Sequence, residues 1–181
     1  FRGPECRWQY SGACAWQSGR LFLNNSVMEM NGQSVGAFDL DSEVHVTGSV
    51  MRNAFPWIDS YGKGVEATGG SRVTLNNCSV DGSYAFGVHA LGAGSTLSVE
   101  NSSISRTWSY GGVGFGVMAE SMGTVVLKRV LVDSSTTTGV NALGQGSTIL
   151  ADGLFVTRTE PLVGNLAGYA VWAAGGSSVT A

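Results

Sequence analysis

GVHALGAGSTLSVENSSISRT (residues 87–107) and GVNALGQGSTILADGLFVTRT (residues 139–159) are two copies of one pattern, 52 residues apart. Each opens on a Val with an Ala two residues later, and that pair recurs at Val35/Ala37, Val65/Ala67, Val88/Ala90, Val117/Ala119, Val140/Ala142 and Val171/Ala173. A second apolar pair follows eight or nine residues on, at Val44/Val46, Val73/Leu75, Leu97/Val99, Val125/Leu127, Ile149/Ala151 and Val179/Ala181. A third apolar position, at Met28, Val80, Ile104, Val132 and Val156, lies seven residues after the second anchor. Alternation with a period of two buries one side of a strand. A unit of this size that repeats signals a solenoid, in which neighbouring units supply the core that one unit cannot build. Three short strands per coil around stacked aliphatic side chains predict an all-β, right-handed parallel β-helix, with the coil serving as its own crossover. A left-handed hexapeptide helix would need a six-residue rhythm that is absent, and tandem hairpins fit the aligned cores poorly.

The Val anchors are spaced 30, 23, 29, 23 and 31 residues apart, so coils of about 23 and 29–31 residues alternate and the true repeat is a pair. Short coils return to the next VxA through segments such as DGSYAFG (81–87) and DSSTTTG (133–139). Long coils use MRNAFPWIDSYGKG (51–64), SRTWSYGGVGFG (105–116) and TRTEPLVGNLAGYA (157–170). At about 4.8 Å per coil, these loops should leave one flank roughly 9.6 Å apart. Asn24, Asn25, Asn76, Asn77 and Asn101 follow the second strand, where stacked amides and left-handed backbone angles suit a structural ladder.

Composition bounds the function. Charged residues are 13% of 181, Gly numbers 27 and Pro three, and the formal charge is −3. Nothing here resembles the clustered Lys and Arg of a nucleic-acid partner. No apolar run reaches the 18 or more residues of a membrane span. Phe1 in place of Met predicts a signal or other leading segment outside this chain. Ala181 falls in mid-strand, which predicts a longer solenoid truncated there. Residues 1–20 read as an N-terminal cap or preceding coil and 21–181 as the β-helix. Cys6 and Cys14, in the non-repeating start, suggest a disulfide, with two free thiols as the alternative. Cys78 falls in the inward column of Ser26, Ser49, Ser102, Val130 and Leu154 and reads as a buried structural thiol.

Units of the form GVxAxGxGSxLxVxNxxIxxT resemble the secreted β-helix repeat proteins common in myxobacteria and related bacteria, over residues 20 to 181. They are more distantly similar to the pectin-lyase-like superfamily. The resemblance implies the fold and an extracytoplasmic, secreted or cell-surface location. It is silent on activity, because the motif consists of core and turn residues.

Three groups of residues remain as candidate sites. Just after the third strand the short coils carry Glu29, Asp81 and Asp133 and the long coils Arg52, Arg106 and Arg158. They suit an ion-pair ladder rooting the loops or, if the Arg groups are unpaired, an anion-binding strip; Arg52 is ambiguous in register. Asp39, Asp41 and Glu43 alternate in FDLDSEVH and would offer one face of oxygen ligands to Ca²⁺, against the alternative of a solvated turn. The long loops carry Phe55, Trp57 and Tyr61, then Trp108, Tyr110 and Phe115, then Tyr169 with the adjoining Trp172. Such rings stack on sugars, anchor a protein interface or fold back as a satellite core. His45 and His89 lie two coils apart, so a shared catalytic role is not expected. The outward column of VxA (Gly36, Glu66, His89, Met118, Asn141, Trp172) holds one carboxylate, and neither paired acids nor a GxSxG elbow is assembled.

The residues therefore predict a non-enzymatic scaffold, secreted or at the cell surface, that binds glycan or protein through the long-loop flank. The alternatives are a polysaccharide-active lyase or hydrolase, and a structural spacer or filament module that associates end to end through its open strand edges.

Overall fold

The computed structural model describes residues 11–56, 61–161 and 168–181. Among them there is no helix, and so none long and apolar enough to cross a membrane. The VxA strands form one parallel sheet of seven, in chain order Ser11–Ala15, Gln33–Phe38, Lys63–Thr68, Ala85–Leu91, Gly114–Glu120, Thr138–Leu143 and Tyr169–Ala174. Ser11–Ala15 pairs in register with Gln33–Phe38, extending the first sheet by one coil. The second and third strands of every coil belong to one further parallel sheet of ten. The architecture is a right-handed parallel β-helix.

In one respect the coil differs from three separate strands. In the later coils the second and third strands are continuous, as Thr96–Thr107, Thr124–Ser135 and Thr148–Thr157. A single left-handed residue bends the chain without ending its ladder. The column is Asn25, Gly48, Asn77, Asn101, Arg129 and Gly153, with φ between 48° and 67°. Asn and Gly tolerate that conformation at least cost, which accounts for the Asn after the second strand. Asn101 Nδ2 also donates to Asn76 Oδ1 at 3.3 Å.

The core is the aliphatic stack expected from the repeat. Val65, Val88, Val117 and Val140 are fully buried, and each pairs in register with the Val one coil away. Buried hydroxyls hold the bends. Ser95 Oγ accepts from Gly70 N–H at 3.0 Å and donates to the Leu91 carbonyl at 2.7 Å. Ser147 repeats this with Met122 and Leu143. At the next bend Ser102 Oγ accepts from Cys78 N–H at 2.9 Å and donates to the Glu100 carbonyl at 2.6 Å. Cys78 occupies the same column, its Sγ 3.3 Å from the Asn76 carbonyl oxygen, and burial raises its pKa. That environment suits an inert structural thiol.

One glycine column sets how closely the coils approach. A Cβ on Gly87 would lie 2.5 Å from the Gly116 carbonyl oxygen and 2.5 Å from Ile104 Cγ2. Gly64 and Gly116 face the same obstruction, from Val80 and Val132 respectively. Glycine here is demanded by space, not by dihedral angle.

Register also settles the charged residues. Glu29, Arg52, Asp81, Ser105, Asp133 and Thr157 form one column, in which each residue pairs with the next coil. Arg106 and Arg158 stand one residue beyond it, at φ of 51° and 47°. From there each Arg reaches diagonally back to the acid of the preceding coil. Arg106 Nε donates to Asp81 Oδ1 at 2.7 Å and its Nη2 to Oδ2, while Ser105 Oγ donates to Oδ1 at 2.7 Å. Arg158 and Thr157 repeat the arrangement on Asp133. Arg52 lies within the acid column and contacts Glu29, Nη2 to Oε2 at 2.9 Å.

Gly87→Ala should destabilise by about 1–3 kcal/mol or more, because backbone and core must shift to admit the methyl. Gly92→Ala, at φ +89° with open space around it, should cost on the order of 1 kcal/mol through backbone strain alone. Urea midpoints at constant m separate the two. The hydrogen bonds from Arg158 hold the Asp133 carboxyl down at about 2, and those from Arg106 lower Asp81. A carboxyl depressed in the fold contributes stability that is complete above its unfolded value, about 3.9, and is lost as pH falls through the folded value. Asp133→Asn should therefore flatten the fall in stability between about pH 4 and pH 2, measured by urea unfolding across that range.

Candidate functional site: a charged groove over the first sheet

The residue between Val and Ala in each VxA points away from the core, yet Glu66, His89, Met118 and Asn141 are buried. The cause is the glycine before the Val. Gly87 and Val88 both face inward, so Phe86 and His89, three residues apart, share the outer face. Phe86 lies flat on His89, ring centroids 4.3 Å apart and 11° from parallel. Lys63 and Phe115 hold the equivalent place in the neighbouring coils.

A charged row crosses three coils beneath these side chains. Glu66 Oε1 meets Lys63 Nζ, and Glu66 Oε2 accepts from Gln33 Nε2 at 3.2 Å. His89 Nδ1 lies 3.3 Å from Glu66 Oε1, and its Nε2 lies 3.3 Å from Glu120 Oε2. These are close contacts rather than well-aligned hydrogen bonds. Burial alone would raise the Glu66 carboxyl, but His89 and Lys63 overcome it and hold the group at about 2. Glu66 is thus a fixed anion, charged because its partners surround it. His89 also lowers Glu120, which outweighs partial burial. Glu120 differs in being about one-third exposed. Its Oε1 has no partner among the described residues.

An open groove with a cavity volume of about 460 Å³ runs over this row. Tyr61, Phe86, Phe115 and Leu143 form its apolar walls, Lys63 and Glu120 bring charge to it, and His89 lies between them. A second cleft, of about 330 Å³, lies on the adjoining flank between Met30, Phe55, Tyr84 and Trp108.

The structure divides the aromatic residues expected on the long loops. Phe55 packs edge-on to Tyr84 at 5.3 Å and shares the flank cleft with Trp108. Tyr61 meets Tyr110 at 6.0 Å, Phe115 meets Phe86 at 6.0 Å, and Tyr169 meets Trp172 at 4.3 Å. Phe55, Tyr61, Trp108, Tyr110, Tyr169 and Trp172 are nevertheless 41–55% exposed. They combine mutual packing with open ring surface. Trp57 lies outside the described residues.

The acidic run does not assemble a calcium site. Asp39 and Asp41 sit in a turn at φ of 71° and 61°, where strand alternation no longer applies. Glu43 is committed to Arg20 at 3.1 Å and Arg72 at 3.0 Å. Among the described residues no group of three or more His, Cys, Asp or Glu could hold a metal ion. Cys14 is disulfide-bonded and Cys78 is free; Cys6 lies outside the described residues.

In the sequence Glu66 stands as the one carboxylate of the outward VxA column, and nothing in that column points to Lys63, Phe86 or Glu120. The available signals were the Gly before four of the six Val anchors, Gly64, Gly87, Gly116 and Gly139, which breaks simple alternation, and the place of Leu91 and Glu120 three residues after their anchors, where the two align.

No curated protein and no solved structure matches the chain. A family model described as right-handed beta helix region matches residues 2–104. With its parallel sheets and stacked VxA core, the chain belongs to the right-handed β-helix family.

Proposed function

We propose that this β-helix is an extracytoplasmic binding scaffold that holds a glycan chain in the groove over its first sheet, with the Phe55–Trp108 cleft as a neighbouring contact. The carrying observation is the groove itself, in which aromatic rings packed edge to edge keep open surface around a volume of about 460 Å³. Rings so held lose little conformational freedom when a sugar stacks on them. The disulfide at Cys14 supports an oxidising compartment, at the cell surface or in secretion.

A second reading, a polysaccharide-active lyase or hydrolase, draws support from the two carboxylates flanking His89. Against it, Glu66 is saturated by Lys63, Gln33 and His89, which leaves Glu120 as the one acid of the row with an unpartnered oxygen. Hydrolysis by the usual route needs an acid and a base both free to exchange protons.

Tyr61→Ala combined with Tyr110→Ala should weaken glycan binding at least about tenfold while leaving the circular dichroism spectrum unchanged. Titration of oligosaccharides selected on a glycan array checks this; an array with no positives would sink the proposal. Incubation with polysaccharides should release neither new reducing ends nor unsaturated ends, and their release would favour the enzyme reading.

A further inference from the structure

We infer that the groove selects a glycan bearing free amino groups, an amino-sugar oligomer, over neutral and uronate glycans. The inference rests on the glycan reading of the same groove and adds its charge preference. Lys63 brings one positive charge, but its ammonium is held by Glu66 and its side chain is only 17% exposed. His89 is 3% exposed, between two carboxylates. The charged group most open to a ligand is Glu120, with Oε1 unpartnered. A uronate would bring its carboxylate against Glu120 and find no unpaired cation in the groove. A neutral sugar would gain ring stacking alone. An ammonium would gain a charge-assisted hydrogen bond to Glu120 and the attraction of aromatic faces.

The protein already makes the second of these interactions with its own side chain. Lys63 Nζ stands 5.7 Å from the Phe86 ring centroid and 5.9 Å from that of Tyr61, within cation–π range. One coil further on, Phe115 replaces Phe86 in register, and Glu120 lies on the same strand as Phe115. That coil has ring and carboxylate but no lysine, which leaves the place for an ammonium of the ligand.

A sugar chain suits the site better than a lysine-rich peptide. The groove runs from Lys63 to Leu143 across four coils, about 14 Å at the usual strand spacing. Strands beneath it are paired on both sides, so a peptide would find no free backbone groups to add to. A pyranose ring, in contrast, offers an apolar face to the aromatic rings and an amino group to the carboxylate together.

The test is calorimetric titration of the whole chain with four probes of equal length. These are a β-1,4-linked glucosamine oligomer, its N-acetylated counterpart, an oligogalacturonate and oligolysine. The glucosamine oligomer should bind at least about tenfold more tightly than its N-acetylated counterpart. Glu120→Gln should abolish that difference. Asp152→Asn makes the same charge change on the second sheet, away from the groove, and should preserve it. Equal affinity for the amine and its acetamide, stronger binding of the uronate, or equal loss in both variants overturns the inference and leaves the glycan reading standing. Binding of oligolysine with no binding of any sugar overturns both.

Discussion

The close passage of backbone at Gly64, Gly87, Gly116 and Gly139 is the constraint on which the rest depends. Each would-be Cβ falls against the carbonyl of the coil above and a branched side chain of the core. Close contact there keeps Val, Leu and Ile stacked in register, as burial of an aliphatic column requires. It also makes two successive residues face inward, which brings the residues on either side to the same outer surface. The spacing that seals the core is therefore the spacing that lays Phe86 on His89.

Two electrostatic arrangements follow, and they differ in kind. On the flank, Asp81 and Asp133 each meet an Arg fork and a hydroxyl, and the Arg partners stand more than half exposed to water, which screens these pairs. Over the first sheet, Glu66 is enclosed by Lys63, Gln33 and His89. Removing one partner there would strand a buried charge, which is far more costly than losing an exposed pair. Loss of one flank pair should therefore cost less than loss of one partner in the row beneath the groove.

The VxA core and the two-coil alternation were legible because they are periodic, and periodicity survives without knowledge of register. Acids and Arg after the third strand were legible for the same reason, though the one-residue offset that lets Arg106 reach Asp81 was not. The contact of His89 with Glu120 depends on a broken alternation and on cross-coil alignment, and single-strand reasoning supplies neither. Asp39 and Asp41 show the converse case, in which alternation gives way to a turn with positive φ and the alternative of a solvated turn holds. The structural role of Asn25, Asn77 and Asn101 is legible because the left-handed bend they serve is a local property of the residue type.

The matched contacts of Asp81 with Ser105 and Arg106, and of Asp133 with Thr157 and Arg158, set the increment by which such a molecule can change length. A single coil removed between them would place acid and Arg out of step and leave a loop without its root. A pair removed, 52 residues and about 9.6 Å of rise, would join like to like and restore the same contacts. Growth and shortening of the solenoid are thus quantised in double coils, and a binding track on its face would lengthen by whole steps of that size.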